Sequence, residues 1–171
     1  VVDTEPIYDI YWNEAGERYQ TGIPNFASHI KGTTLPYILD KYFSDRSEEF
    51  KEMVTRESMD FEQKMPFPPV PGAMEFIHLL KGKGVKVGLV TSSDNAKLER
   101  AFRLLKLDNL FDTVVSADRI TKGKPDPMCY QLAASDLHVS PADCLVFEDS
   151  FAGIQAGTNA GMRVIGLSTT N

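Results

Sequence analysis

The chain has 171 residues, 42% of them hydrophobic and 25% charged. That is ordinary for a globular protein, with enough length for one full core or one core plus a small appended domain. A formal net charge of −6, a pI near 5.1 and no basic cluster argue against a nucleic-acid partner. No apolar run approaches the ~20 residues a membrane span needs, and Val1-Val2-Asp3-Thr4 lacks the layout of a signal peptide. Cys129 and Cys144 sit in apolar contexts with no C-x-x-C or Cys/His spacing, so both read as small buried hydrophobes without a disulfide. His29, His78 and His138 share no ligand spacing. A reducing, cytoplasmic setting is expected.

The first third reads as all-helical. Residues 3–20 form an amphipathic helix capped by Asp3 or Thr4, with Pro6 in its first turn and Tyr8, Tyr11, Trp12, Ala15 and Tyr19 on one packing face. A loop over Gly22 to Ser28 leads to Lys31-Gly32-Thr33-Thr34, which can start a second helix through Leu35, Ile38, Leu39 and Tyr42. Asp45 to Glu48 opens a third, charged helix with Phe50, Val54 and Phe61 as its apolar stripe. The texture then changes. Met65 to Gly72 holds four prolines in eight residues and reads as a stiff linker or domain boundary.

From there helices and strands alternate, the signature of a parallel sheet with crossover helices. Ala73, Phe76, Ile77 and Leu80 share a helical face ended by Gly82-Lys83-Gly84, and Val85 to Val90 is a strand. Leu98, Ala101, Phe102 and Leu105 mark the next helix. Thr113 to Ser116 is a strand, Pro127 to Leu137 a helix, Cys144 to Phe147 a strand, Ser150 to Ala160 a helix and Met162 to Leu167 a strand. The short apolar run at Cys144 is expected to be buried on both faces.

Three stretches carry candidate chemistry. After Phe147 come Glu148 and Asp149, a hard oxygen pair suited to Mg2+ at the carboxyl end of a strand, although acids there also serve as plain helix caps. Gly88 to Asn95 ends a strand in Thr91 and Ser92 before a helix start, an arrangement able to bind an anion or merely to cap the helix through Ser93 or Asp94. Thr121-Lys122-Gly123-Lys124-Pro125-Asp126-Pro127 holds Lys124 on a stiff turn, either a fixed charge for phosphate or an exposed surface lysine.

Taken in chain order, the hydroxyl, the Gly-Lys-Pro-Asp-Pro lysine and the acid pair resemble the haloacid dehalogenase-like superfamily, in the subgroup containing β-phosphoglucomutase and many small-molecule phosphatases. The resemblance implies an α/β fold: a Rossmann-like parallel sheet core with an inserted all-helical cap. Residues 1–4 would follow the first motif, 5–68 form the cap, and 69–171 the core, with Val70-Pro71-Gly72 as the return. It further implies Thr91 as hydroxyl donor to the phosphoryl group, Lys124 as the neutralising cation, and Glu148 and Asp149 as Mg2+ ligands. Ser92, Asn95 and Thr4 would be further phosphate- or substrate-binding groups. The expected reaction is hydrolysis of a small phosphorylated metabolite such as a sugar phosphate, through an aspartyl-phosphate, by a monomer or weak homodimer with no nucleic-acid or membrane partner.

The family's first motif, Asp-x-Asp-Gly, and its strand, normally central in the sheet, are expected a few residues before Val1. The tail, at Thr170-Asn171, stops before a further strand and helix that family members often carry. Without that nucleophile the same residues could serve a non-catalytic phosphate-binding module. Tyr8 and Leu35 stand where the mutase carries a cap histidine and arginine, which favours a phosphatase over a phosphotransferase and a less charged leaving group.

Overall fold

The computed structural model describes residues 1–31, 33 and 35–168. By their internal contacts the residues divide into two units, Thr4–Pro68 and Val1–Asp3 with the chain from Pro69 onward.

The first unit is helical: α1 (Glu5–Arg18), α2 (Phe26–Ile30), α3 (Leu35–Tyr42) and α4 (Glu48–Lys64). Pro6 lies in the first turn of α1, where its missing N–H costs no hydrogen bond, with Glu5 at the start and Arg18 in the last turn to match the helix dipole. Ser47 caps α4 by accepting from Phe50 N–H at 3.2 Å, and the helix ends just before Pro66. Trp12, Ala15, Tyr19, Phe26, Ile30, Ile38, Phe43 and Val54 form one buried core. The expected α1 stripe is therefore a packing face. Gly16 permits the close crossing of α1 and α2, because a Cβ there would come within 2.6 Å of Phe26 Cβ. The loop expected over Gly22 to Ser28 contains the short helix α2 from Phe26, whose first residue the loop chemistry before it had masked. Gly32 and Thr34, expected to start the next helix, lie outside the described residues.

In the second unit, α5 (Ala73–Gly82) is followed by β1 (Gly88–Val90), α6 (Asn95–Leu105), β2 (Thr113–Val115), α7 (Met128–Leu137), β3 (Leu145–Glu148), α8 (Phe151–Asn159) and β4 (Arg163–Gly166). The strands pair in parallel, β1 with β2 and β3 with β4. Val1 and Val2 run beside the returning chain, with Val70 N–H donating to the Val1 carbonyl at 2.9 Å and an antiparallel bridge between Val2 and Pro69.

Two expectations change here. The strand expected from Val85 begins only at Gly88, because Gly84 and Val85 N–H groups close the end of α5 on Lys81 and Leu80 carbonyls. The Asp112 carboxylate then takes the Val87 N–H at 2.7 Å while pairing with Lys81. Second, β3 is not buried on both faces. Val146 and Glu148 are buried, whereas Leu145 and Phe147 are exposed. Helices α7 and α8 cover one face with Cys129, Tyr130, Ala133, Ala134, Ala156 and Ala160. On the other, the Phe76 ring meets Phe147 edge-on at 5.5 Å and leaves the strand partly open.

At the outer side of β2, Arg119 donates to the Val114 carbonyl at 2.8 Å and pairs with Asp136 at 2.7 Å. Both cysteines are free thiols. No helix among the described residues is long and apolar enough to cross a membrane.

Candidate active site

Carboxyl ends of parallel strands are where open α/β sheets place ligand groups. Thr91 follows β1, and Glu148 and Asp149 lie at the end of β3, where Lys124 joins them. Glu148 is the last residue of β3 and points, like Val146, into the α7–α8 side. Its carboxylate accepts from five protein donors. Oε1 takes Asp149 N–H, Ser150 N–H and the Ser150 hydroxyl at 3.1, 3.1 and 3.0 Å. Oε2 takes Lys124 Nζ and the Tyr130 hydroxyl, each at 2.6 Å. Ser150 also caps α8, its Oγ accepting from Gly153 N–H at 3.0 Å. Gly153 is the residue this packing demands, since a Cβ there would overlap the Glu148 carboxyl carbon.

Burial alone would raise the Glu148 pKa. The hydrogen bonds from Lys124 and Tyr130, with the Lys124 charge, outweigh it and hold the carboxyl down at about 2. Burial, reinforced by the Glu148 carboxylate, pushes the Tyr130 hydroxyl well above its ordinary value, so it remains a proton donor. Lys124 Nζ also lies 5.2 Å from the Tyr130 ring centroid. The turn bearing Lys124 is held from α8, where Asn159 donates to the Pro125 carbonyl at 3.2 Å and accepts from Gln155 at 2.8 Å.

Lys124, Glu148 and Asp149 are thus brought together. Lys124 is not a surface lysine, for its side chain is only 12% exposed. Glu148 and Asp149, expected as a ligand pair, are unequally placed: both Glu148 oxygens are engaged by the protein, and Asp149 begins the loop beyond. Thr91 follows β1 directly, its N–H donating to the Val115 carbonyl at 2.9 Å and its Oγ1 accepting from Ser93 N–H at 3.1 Å. Ser92 is exposed on that loop. Asp94, not Ser93, caps α6 by accepting from Lys97 N–H at 2.9 Å. The exposed Asn95 opens α6, with its N–H on Asp118 at 2.7 Å. Thr4 belongs to the helical unit, where its carbonyl receives Ile7 and Tyr8 N–H groups at the start of α1.

Tyr130 is the site residue that sequence reading missed. It sits among Cys129, Ala133 and Ala134 on a helix read only for apolar packing, and nothing local announces that its hydroxyl meets a glutamate 18 positions on. Its place in the first turn after Gly-Lys-Pro-Asp-Pro was the one available signal.

The model of the haloacid dehalogenase-like hydrolase family matches residues 1–167. This chain belongs to that family. As a member of the haloacid dehalogenase-like hydrolases it is 32% identical to a phosphorylated carbohydrates phosphatase of Thermotoga maritima, over 98% of this chain and 80% of the relative. It is 31% identical to β-phosphoglucomutase of Bacillus subtilis, over 98% and 78%. A stretch covering 60% of the chain is 43% identical to validoxylamine A 7′-phosphate phosphatase of Streptomyces hygroscopicus, and spans about half, 48%, of that protein. Among solved structures, a family IA hydrolase from Entamoeba histolytica superposes with a TM-score of 0.81, covering 99% of this chain and 80% of that one, at 24% identity. The α/β fold expected from the sequence is that of the haloacid dehalogenase-like hydrolases, and the chain is an enzyme chain of that family.

Proposed function

We propose that this chain carries most of a Mg2+-dependent phosphatase of small phosphorylated metabolites, sugar phosphates among them. The observation that carries the reading is the buried Lys124–Glu148 pair at 2.6 Å beside Asp149, at the carboxyl end of a parallel strand. A lysine fixed by a buried carboxylate is a compact positive charge suited to phosphoryl oxygens, where charge collects as the ester bond breaks. The Thr91 and Ser92 hydroxyls and the Asn95 side-chain amide would be further donors for the same anion, the Asn95 N–H itself being held by Asp118.

Among the described residues no group of three or more His, Cys, Asp or Glu could cage a metal. Mg2+ needs only one or two protein carboxylates and completes its shell with water and substrate phosphate, and Asp149 at the strand end would supply one. Asp149 would hold the ion, which when bound supplies charge neutralisation at the phosphoryl group. Glu148, with both oxygens engaged, would serve the same site chiefly by holding Lys124. An aspartate upstream of Val1 belongs to the proposal as nucleophile: it would attack phosphorus in line as the P–O bond to the alcohol breaks. The alcohol would leave with a proton from the second aspartate of the expected Asp-x-Asp-Gly motif. Water would then cleave the aspartyl-phosphate to phosphate and the free carboxylate. The helical unit, with Thr4 at its head, is proposed as the cap that selects the substrate.

The second reading, a β-phosphoglucomutase-like phosphotransferase, is favoured by the Bacillus subtilis relative. Two residues weigh against it. The Tyr8 hydroxyl donates to Glu62 at 2.6 Å, and Leu35 packs on the helical core, so neither offers the phosphate-handling chemistry of a histidine or arginine.

The test is phosphate release from an aryl phosphate by the full-length protein, including residues that precede Val1. Turnover that requires Mg2+ and stops with EDTA is expected. Asp149→Ala should abolish turnover and weaken Mg2+ binding measured by calorimetry, with the melting temperature little changed, because the residue lies in a loop. Turnover indifferent to EDTA, or unchanged Mg2+ affinity in the variant, overturns the reading. A strong preference for bisphosphate sugars with phosphate retained on the product would favour the phosphotransferase.

A further inference from the structure

We propose that Tyr130 is a positioning residue for the reaction, its hydroxyl fixing the Glu148 carboxylate so that Lys124 presents its ammonium group at one point. This inference rests on the phosphoryl-transfer reading of the same site.

A lysine has four side-chain torsions and a compact charge, so the charge is useful only if something immobilises it. Here the anchor is Glu148 Oε2, and an anchor held from one side could swing. The Ser150 and Asp149 donors pin Oε1. Oε2, the oxygen that holds Lys124, has one further donor, the Tyr130 hydroxyl at 2.6 Å. The two contacts on Oε2 come from the two ends of one segment, the turn at Lys124 and the first turn of α7, while Glu148 comes from β3. The hydroxyl thereby locks α7 to β3 at the point where Lys124 is presented. The Tyr130 ring centroid also lies 5.2 Å from Nζ. Tyr130 is 5% exposed and Glu148 8%, so water does not compete for these contacts. No proton moves and no bond is made by Tyr130; it acts through Glu148 and Lys124.

Tyr130→Phe keeps the ring and removes only the hydroxyl. In the full-length enzyme it should lower kcat about tenfold with KM within about twofold, because a misplaced charge is felt most where negative charge develops. An independent readout needs neither metal nor turnover. In the metal-free protein the Lys124 ammonium protons, held in a buried pair, should give an NMR resonance in the wild type that broadens beyond detection in Tyr130→Phe. A purely structural tyrosine would lower the melting temperature and leave that resonance and the kcat-to-KM split in place. Wild-type kcat with an unchanged Lys124 resonance overturns the proposal, as does a lost kcat matched by raised KM with the resonance unmoved. If the wild type turns over no phosphate ester, the phosphatase reading fails, and the resonance alone still decides whether Tyr130 positions Lys124. If Tyr130→Phe does not fold, the wild-type Tyr130 hydroxyl proton carries the test: slow exchange is expected, and exchange at the rate of an exposed tyrosine overturns the proposal.

Discussion

The two units each contain the same trio, a carboxylate, a cation and a tyrosine, in nearly the same local geometry. In the helical unit, Arg18 reaches Glu57 Oε2 at 3.0 Å, the Tyr19 hydroxyl donates to that oxygen at 2.6 Å, and the guanidinium lies 5.1 Å from the Tyr19 ring centroid. In the α/β unit, Lys124 and Tyr130 share Glu148 Oε2 at 2.6 Å each, with the ammonium 5.2 Å from the ring. What separates them is water. The Arg18 and Glu57 side chains are 52% and 39% exposed, those of Lys124 and Glu148 12% and 9%. Glu148 also receives three donors from the start of α8. Composition and pairwise distance therefore do not distinguish a surface tie from the buried cluster of the candidate site; desolvation and the strand end beneath it do.

The sharpest way to break the comparison is to remove the cation from each trio. Lys124→Met leaves a buried carboxylate without its counter-charge and should cost about 3–5 kcal/mol in urea denaturation. It should also lower kcat by several orders of magnitude. Equal stability losses in Lys124→Met and the matching Arg18 variant would refute the distinction. Gly153→Ala tests the packing behind Glu148. Alanine is the better helix former by about 1 kcal/mol, yet the methyl must displace a carboxylate held by five donors, so a net loss of about 1–3 kcal/mol is expected. A more stable Gly153→Ala protein would show that Glu148 can move freely.

Acid titration separates the trios by a further, smaller effect. The Glu148 carboxyl is held below its unfolded value, so its contribution is complete above about 4.5 and is lost as pH falls toward about 2. Stability measured across that range should fall more steeply in the wild type than in Glu148→Gln, by about 2 kcal/mol. Parallel slopes would contradict the depressed value. The smallest effect is expected from Arg18→Met, at about 0–1 kcal/mol and weaker still in high salt.

Much of this was legible before any coordinates. Helical periodicity marked the Trp12 and Tyr19 face, the prolines at 66–71 marked the change of texture, and the strand–helix alternation after Ala73 implied parallel pairing. Lys124 and the Glu148-Asp149 pair each had a plain reading, as a surface lysine and as helix-capping acids, and stood out only when taken together with the hydroxyl at Thr91. What the sequence withheld was convergence. Oε2 of Glu148 is met by residues 24 and 18 positions earlier, and no local pattern encodes that meeting. Nor could four apolar letters reveal that Val146 and Glu148 point to the buried side of β3 while Leu145 and Phe147 point to the side where Phe76 packs, because alternation vanishes when both inward and outward residues are apolar.

The Arg119 contact at the outer side of β2 has a consequence for how the molecule behaves in company. Thr91 N–H reaches the Val115 carbonyl, so strand alternation turns the Val114 carbonyl away from β1, where an extended segment of another chain could dock on it. Arg119 already occupies that acceptor and is itself clamped by Asp136. A strand arriving from outside meets a positive charge and a spent carbonyl. An incoming strand would have to displace the guanidinium from the Val114 carbonyl before it could extend the sheet at that position.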